Sequence, residues 1–94
     1  MNKSAFRINN GQVERVSDYV EYVGIIRQEA SDNENALKPS GFEFDRETAA
    51  QYMDSEWRPN MEAYNYDTGE MEQVTLTDEQ WLSYRNDVLD CLAK

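Results

Sequence analysis

Histidine is absent from this chain of 94 residues, and Cys91 is its only cysteine. Without histidine, Ser–His and Cys–His nucleophiles are excluded, and a zinc site would lack both imidazole and paired thiolates. A single cysteine permits no disulfide within the chain, so nothing indicates a small secreted fold held together by bridges. We expect Cys91 to be a small residue at the margin of the core.

Long apolar runs and phosphate-binding glycine loops are also missing. The longest apolar stretch, Val23 to Ile26 with Gly24 counted, is far shorter than the roughly 20 residues that span a bilayer. Residues 1–7 lack the apolar segment of a signal peptide. No nucleophile elbow is present either. The sequence therefore predicts a cytoplasmic protein with no membrane span, no cofactor and no catalytic activity.

Basic residues are scarce. Nine lysines and arginines stand against 19 aspartates and glutamates, which gives a formal net charge of −10. This balance argues against direct binding to DNA, RNA or anionic lipid, because their phosphates would repel the protein. It favours a cationic partner approached through electrostatic steering. The alternative explanation is that the charge serves only solubility.

The most strongly patterned stretch is the C-terminal one. Thr77 and Gln80 have the spacing of a capping box, which predicts a helix over 78–93. A central apolar stripe on this helix has further apolar residues on both sides, so the apolar face covers a wide arc of the helix surface. The stripe consists of Trp81, Val88 and Leu92, with Tyr84 and Cys91 on one flank and Leu82 and Leu89 on the other.

Arg85 lies in the middle of that apolar arc, four residues after Trp81. In one interpretation its stem packs on Trp81 while the guanidinium reaches water or a carboxylate at the edge of the core. In the other, the arc is wider than one contact surface needs, and one flank binds a partner or a second copy of the chain.

Alternation at Phe6–Ile8, followed by the turn residues Asn9–Gly11, predicts a short N-terminal strand. Residues 12–16 are compatible either with a hairpin partner of that strand or with a helix beginning near Gln12. A helix over 17–30, capped by Ser17, follows. Its predicted buried face is Tyr19, Tyr22, Val23, Ile26 and Ala30, and its polar side is Asp18, Glu21, Gln28 and Glu29.

Residues 31–41 predict a polar loop, and residues 42–44 alternate as a strand would. Asp45 is the predicted cap of a helix that ends before Pro59. Strands over residues 62–66 and 71–76, joined by a tight turn at residues 67–70, are then predicted to form a hairpin. Its expected cross-strand pairs are Tyr66 with Met71, Tyr64 with Gln73, and Ala63 with Val74.

Together these elements predict one α+β domain over residues 1–94. We expect a small antiparallel sheet of three to four strands, with two to three helices packed on it. The sequence contains no internal repeat and no low-complexity segment that would suggest a second unit.

Neither metal binding nor acid–base catalysis is predicted from the acidic residues. Asp32 and Glu43 have the spacing of the ends of a calcium-binding loop, but Leu37 occupies the position that requires glycine. Three carboxylate pairs lie close in sequence, on predicted solvent faces where neither member would be desolvated. These pairs are Asp54 with Glu56, Glu70 with Glu72, and Asp87 with Asp90.

The acidic residues taken as a set are the candidate functional feature. Carboxylates on a folded scaffold, interspersed with tyrosines, match a cationic channel made for nucleic acid. The predicted partner-binding residues are Asp54, Glu56, Glu70, Glu72, Glu79, Asp87 and Asp90, with Tyr64 and Tyr66 as aromatic anchors.

In size, acidity and lack of a cofactor motif the chain resembles small phage and plasmid inhibitors of host nucleic-acid-binding machinery, such as anti-CRISPR and anti-restriction proteins. The resemblance implies a non-enzymatic inhibitor that acts as a nucleic-acid mimic and occupies the basic nucleic-acid-binding surface of a larger protein. The alternative is an adaptor or homodimer that uses the apolar flank of the C-terminal helix.

Overall fold

The computed structural model describes residues 4–93 and has the α+β architecture that the sequence predicts. Within those residues, every helix falls short of the length and apolarity that crossing a bilayer requires. The strands are β1 (Phe6–Asn9), β2 (Gln12–Arg15), β3 (Glu62–Asn65) and β4 (Glu70–Gln73). The helices are α1 (Tyr19–Asp32), α2 (Glu34–Leu37), α3 (Arg46–Tyr52) and α4 (Asp78–Leu92).

The four strands form one mixed sheet in the order β2-β1-β3-β4. Each outer pair is an antiparallel hairpin, but the central pair, β1 with β3, is parallel, with Arg7 opposite Tyr64. The prediction of a wholly antiparallel sheet is therefore wrong at its centre. The reason is the connection: three helices lie between β2 and β3, which is long enough to return the chain parallel to β1.

The N-terminal hairpin decides between the two alternatives for residues 12–16 in favour of a strand. Asn10 and Gly11 both have positive φ, 53° and 78°, which is the two-residue turn that suits the twist of a hairpin. Helix α1 then starts later than predicted. Its cap is Asp18, whose carboxylate accepts the Glu21 amide at 3.1 Å, and not Ser17.

The predicted loop and strand over residues 31–44 are organised differently from expectation. Helix α1 continues to Asp32, and the short α2 places Leu37 in the core. Residues 42–44 are not a strand: Phe42 is 76% exposed, and only Phe44 packs against the core. The edge strands of the sheet are β2 and β4, and residues 42–44 pair with neither of them.

Helix α3 begins as predicted, with the Asp45 carboxylate accepting the Thr48 amide at 3.2 Å. It continues as a π-helical segment over Met53–Trp57 and a 3-10 turn over Arg58–Asn60. Arg58 keeps helical angles although it precedes Pro59, so the helical path ends at Asn60 and not before the proline. Proline is tolerated there because the first residues of a new turn need no amide donor.

The β3–β4 hairpin forms with a register two residues away from the predicted one. Tyr64 is opposite Met71, and Ala63 is opposite Glu72. The Gly69 amide donates to the Asn65 carbonyl at 2.7 Å, so the turn spans residues 66–69. Tyr66 consequently lies in the turn and not in the strand.

Helix α4 packs against α1, α3 and β1, which accounts for the width of its apolar arc. Its capping box is present, with the Gln80 amide donating to the Thr77 hydroxyl at 3.1 Å. Leu82 is the exception on the arc, because it is 44% exposed. The side chains that α4 buries are Trp81, Tyr84, Val88, Leu89 and Leu92.

Candidate functional site

Asp54 is the carboxylate that Arg85 reaches from within the apolar arc of α4. One Asp54 oxygen accepts the Trp81 indole N–H at 2.7 Å and an Arg85 guanidinium N–H at 2.9 Å. Partial burial raises the pKa of Asp54, but the hydrogen bonds from Trp81 and Arg85 outweigh it and hold the pKa below the ordinary value. Asp54 therefore connects the π-helical segment to α4, and Arg85 follows the first of the two interpretations.

Two predicted site residues on α4 are also engaged within the protein. Asp87 accepts the Tyr22 hydroxyl at 2.6 Å, and Asp90 forms an ion pair with Arg46 at 2.8 Å. Burial, followed by the bond to Asp87, raises the pKa of Tyr22 well above its ordinary value. Both carboxylates therefore connect α4 to neighbouring helices, although Asp90 keeps 62% of its side chain exposed.

Of the four remaining predicted carboxylates, one is hydrogen-bonded within the protein and three are exposed. Glu72 is half-buried and accepts hydrogen bonds from the Asn65 amide at 2.8 Å and the Thr68 hydroxyl at 3.3 Å. Glu56 and Glu70 are exposed, like Glu79 in the first turn of α4. No described side chain bonds to these three carboxylates.

Tyr64 and Tyr66 are brought together, with ring centroids 5.5 Å apart in an edge-to-face arrangement. The Arg7 guanidinium lies 5.4 Å from the Tyr66 ring, donates to its hydroxyl, and pairs with Glu21 at 2.8 Å. Burial lowers the pKa of Arg7, but the bonds to Glu21 and Tyr66 raise it further than burial lowers it. Tyr66 is 52% exposed and Tyr64 is half-buried, so Tyr66 is the more accessible of the two predicted anchors.

A set of nine carboxylates is exposed and has no ion pair or side-chain hydrogen bond from any residue in the range 4–93. Four arginines, at positions 7, 46, 58 and 85, form ion pairs with other carboxylates of the protein. Four of the nine basic residues are therefore already paired within the protein. The nine carboxylates are Glu14, Glu34, Glu43, Glu47, Glu56, Glu62, Asp67, Glu70 and Glu79.

One of the concave features combines carboxyl groups from separate elements with apolar walls. It is a cleft of about 410 Å³ at one end of the sheet, which we call the Trp57 cleft. Its carboxyl groups come from three separate elements, α1, the π-helical segment and β3, and are those of Glu29, Glu56 and Glu62. Its apolar walls are formed by Trp57, Met61, Met71 and Tyr84.

Glu29 differs from the other carboxyl groups of the Trp57 cleft, because it is half-buried and accepts the Tyr84 hydroxyl. Burial raises the pKa of Glu29 to about 7, the bond from Tyr84 opposes this, and nearby Asp32 adds to it. Burial and the Glu29 carboxylate likewise raise the pKa of Tyr84. Glu29 therefore changes charge near neutral pH, as groups at functional sites often do.

The prediction that Glu29 lies on the polar side of α1 is wrong. The signal was in the helical spacing, since Glu29 follows the buried Tyr22 by seven residues and the buried Ile26 by three. The same helix contains the opposite error, because Tyr19 is 67% exposed. Of the predicted partner-binding residues, Glu56 lines the Trp57 cleft and the remainder lie elsewhere.

Within residues 4–93, no three histidine, cysteine or acidic side chains converge in a way that could hold a metal ion. Comparison with protein-family models, with curated proteins and with solved structures found no match to this chain.

Proposed function

We propose that the protein is a non-enzymatic, cytoplasmic inhibitor of the anti-CRISPR or anti-restriction kind, which binds the basic nucleic-acid-binding surface of a larger protein. The observation that carries the proposal is the set of nine exposed carboxylates that have no ion-pair or hydrogen-bond partner within residues 4–93. Such groups can pair with an external cation without first losing a described internal bond. Direct binding to nucleic acid or to anionic lipid is disfavoured by the same charge.

The spacing of charge along the molecule supports mimicry of a nucleic-acid strand. The Cα framework measures 44 Å by 25 Å by 20 Å. A formal charge of −10 over that long axis is one negative charge per about 4 Å, close to the roughly 3.4 Å per phosphate of one DNA strand. A groove lined with lysine and arginine would therefore meet a comparable charge density.

The β3–β4 turn offers a contact in which an aromatic ring accompanies the charge. Tyr66 and Asp67 are exposed in this turn, and Glu70, the first residue of β4, is exposed beside it. Tyrosine and arginine are enriched among the residues that dominate binding energy at protein interfaces. We propose this turn as one contact point with the basic partner.

The test is a pull-down from nuclease-treated host lysate at about 50 mM and about 200 mM salt. We expect retention of a nucleic-acid-handling protein that is released at the higher salt concentration, because screening weakens exposed charge pairs. The captured protein is then assayed for nucleic-acid binding, which increasing amounts of the inhibitor should abolish.

An unrelated protein of equal size and net charge serves as the control for non-specific ion exchange. Retention of the same proteins by that control, or the absence of any nucleic-acid-handling protein, would refute the proposal. Capture that is indifferent to salt but lost on Leu82→Glu would instead favour the apolar flank of α4. Leu82 is the exposed residue of that flank, since Leu89 lies in the core.

A further inference from the structure

The Trp57 cleft has the features of a socket for a side chain that is apolar along its length and positively charged at its tip. Its walls include Trp57 and Met71, with the buried side chains of Met61 and Tyr84 behind them. Glu56 and Glu62 are exposed at this cleft. The volume of about 410 Å³ is within the usual range of small-ligand sites.

Among the described residues that line the cleft, the charge has one sign only. The ionisable groups that line it are Glu29, Glu56, Glu62 and Tyr84, and no lysine or arginine is among the lining residues. Arg58 lies next in sequence to Trp57, but its guanidinium pairs with Asp78 at 2.5 Å and donates to the Leu76 carbonyl at 3.3 Å. Within residues 4–93, no side chain that lines the cleft therefore supplies a positive charge to its carboxylates.

We infer that the Trp57 cleft binds an arginine side chain projecting from the basic surface of the partner, with the guanidinium against Glu56 and Glu62 and the stem along Trp57 and Met71. Arginine fits better than lysine because a planar guanidinium stacks on aromatic rings and forms paired hydrogen bonds with carboxylates. This inference rests on the proposed function, since it names one contact of that same interaction.

The probe is the peptide acetyl-Gly-Ser-Arg-Ser-Gly-amide, compared with the same peptide carrying citrulline, which has nearly the shape of arginine but no charge. Binding is followed by NMR through the two tryptophan indole N–H signals. We expect the arginine peptide to move the Trp57 signal. The Trp81 signal should stay in place, because that indole is buried and bonded to Asp54 at 2.7 Å. The citrulline peptide should bind at least about tenfold more weakly, the effect of losing one charge-assisted contact.

Two double variants separate the cleft from the overall charge of the protein. The cleft variant is Glu56→Gln with Glu62→Gln, and the matched control is Glu47→Gln with Glu79→Gln. All four residues are exposed and without described partners, so both variants should fold and both remove two negative charges. We expect the cleft variant to weaken the arginine peptide about tenfold, and the control to change it by less than about twofold.

A second readout uses the buried carboxyl group of the cleft. Glu29 faces Tyr84 from α4 and Asp32 from its own helix, and it shares the cleft with Glu56 and Glu62. Its pKa of about 7 means that raising the pH from about 6 to about 8 adds a negative charge at the cleft. The arginine peptide should therefore bind more tightly at the higher pH, and Glu29→Gln should remove most of that difference.

The outcomes separate this inference from the proposed function. Equal binding of the arginine and citrulline peptides, or equal weakening by the cleft and control variants, would overturn the arginine site. A cleft variant that still captures the nucleic-acid-handling protein as well as the native chain would overturn the site and leave the inhibitor proposal standing. If the cleft binds the arginine peptide but the protein captures no nucleic-acid-handling protein, the arginine site is supported and the inhibitor proposal is refuted.

Discussion

Arg85 illustrates how a single residue can look misplaced in a sequence and be satisfied in the fold. Its side chain is 18% exposed and lies on the apolar side of α4, yet its guanidinium contacts both oxygens of Asp54, at 2.9 Å and 3.0 Å. Asp54 is 31 positions away in the chain, so helical periodicity reveals the anomaly but not its partner. The Trp81 indole shares the same carboxylate. Asp54 therefore links the π-helical segment to α4, although its side chain remains 47% exposed.

Glu29 leads to a prediction on how stability depends on pH. Its pKa is raised from 4.5 to about 7 in the fold, so between these values the folded state binds more protons than the unfolded state. The free energy of unfolding should therefore fall as the pH rises from about 5 to about 8, by up to roughly 3 kcal/mol from this group. Urea midpoints at the two pH values measure the change.

The control for this prediction is a pair of variants. Glu29→Gln keeps an oxygen that can accept the Tyr84 hydroxyl but cannot ionise, so its stability should vary less between the two pH values. Glu43→Gln removes an exposed carboxylate and should keep the native dependence. If Glu29→Gln retains the full pH dependence, Glu29 is not its source.

At the scale of the element, the start of helix α4 is stabilised by the capping box in its first turn. The Thr77 hydroxyl accepts the Gln80 amide at 3.1 Å, and the Gln80 carboxamide accepts the Thr77 amide at 3.0 Å. Thr77→Ala should cost about 1 kcal/mol of folding free energy. For a domain of this size that is a fall in Tm of roughly 4–8 °C. The control is Thr75→Ala, at an exposed residue just before the helix, which should change the free energy of unfolding by less than about 0.5 kcal/mol. Equal losses of stability in the two variants would contradict a capping role for Thr77.

Elements marked by local chemistry were predictable from the sequence. The Thr77 box, the Asp45 cap and the Asn10–Gly11 turn each depend on contacts within a few residues. The turn did not settle residues 12–16, because Val13 and Val16 fit a hairpin strand and a helical stripe equally well. The strand formed because β1 supplies a partner ladder, with Ile8 opposite Val13.

Features that depend on distant contacts were not predictable. The parallel pairing of β1 with β3 joins residues separated by more than fifty positions, and no local pattern encodes it. The β3–β4 register depends on where the turn closes, and the bond between Gly69 and Asn65 closes it one position before the predicted turn ends.

For the candidate site, the acidic surface followed from composition alone. The Trp57 cleft did not, because α1, α4, β3, β4 and the π-helical segment must come together to form it.

For the whole molecule, the acidic surface has opposite effects on solubility and on the stability of the fold. A large net charge of one sign keeps a protein soluble but destabilises the compact state through self-repulsion. The exposed carboxylates without internal partners contribute to that repulsion, and no described bond offsets it. If they bind a cationic partner, their neutralisation should weaken binding without loss of stability.

The variant Glu43→Gln, Glu56→Gln, Glu70→Gln tests this balance. Its free energy of unfolding should be unchanged or higher by up to about 1 kcal/mol, because like-charge repulsion falls and no described bond is lost. Its association rate with the captured partner should fall by about tenfold at low salt, since steering depends on surface charge.

The matched control Glu14→Gln, Glu34→Gln, Glu47→Gln removes the same charge from β2, α2 and α3. Binding that suffers only in the first variant would place the interface beside the π-helical segment and the β3–β4 turn. Equal losses in both variants would mean that net charge, and not one face, attracts the partner. No loss in either would leave solubility as the role of the charge, because a rigid charged interface cannot lose three carboxylates without slower association.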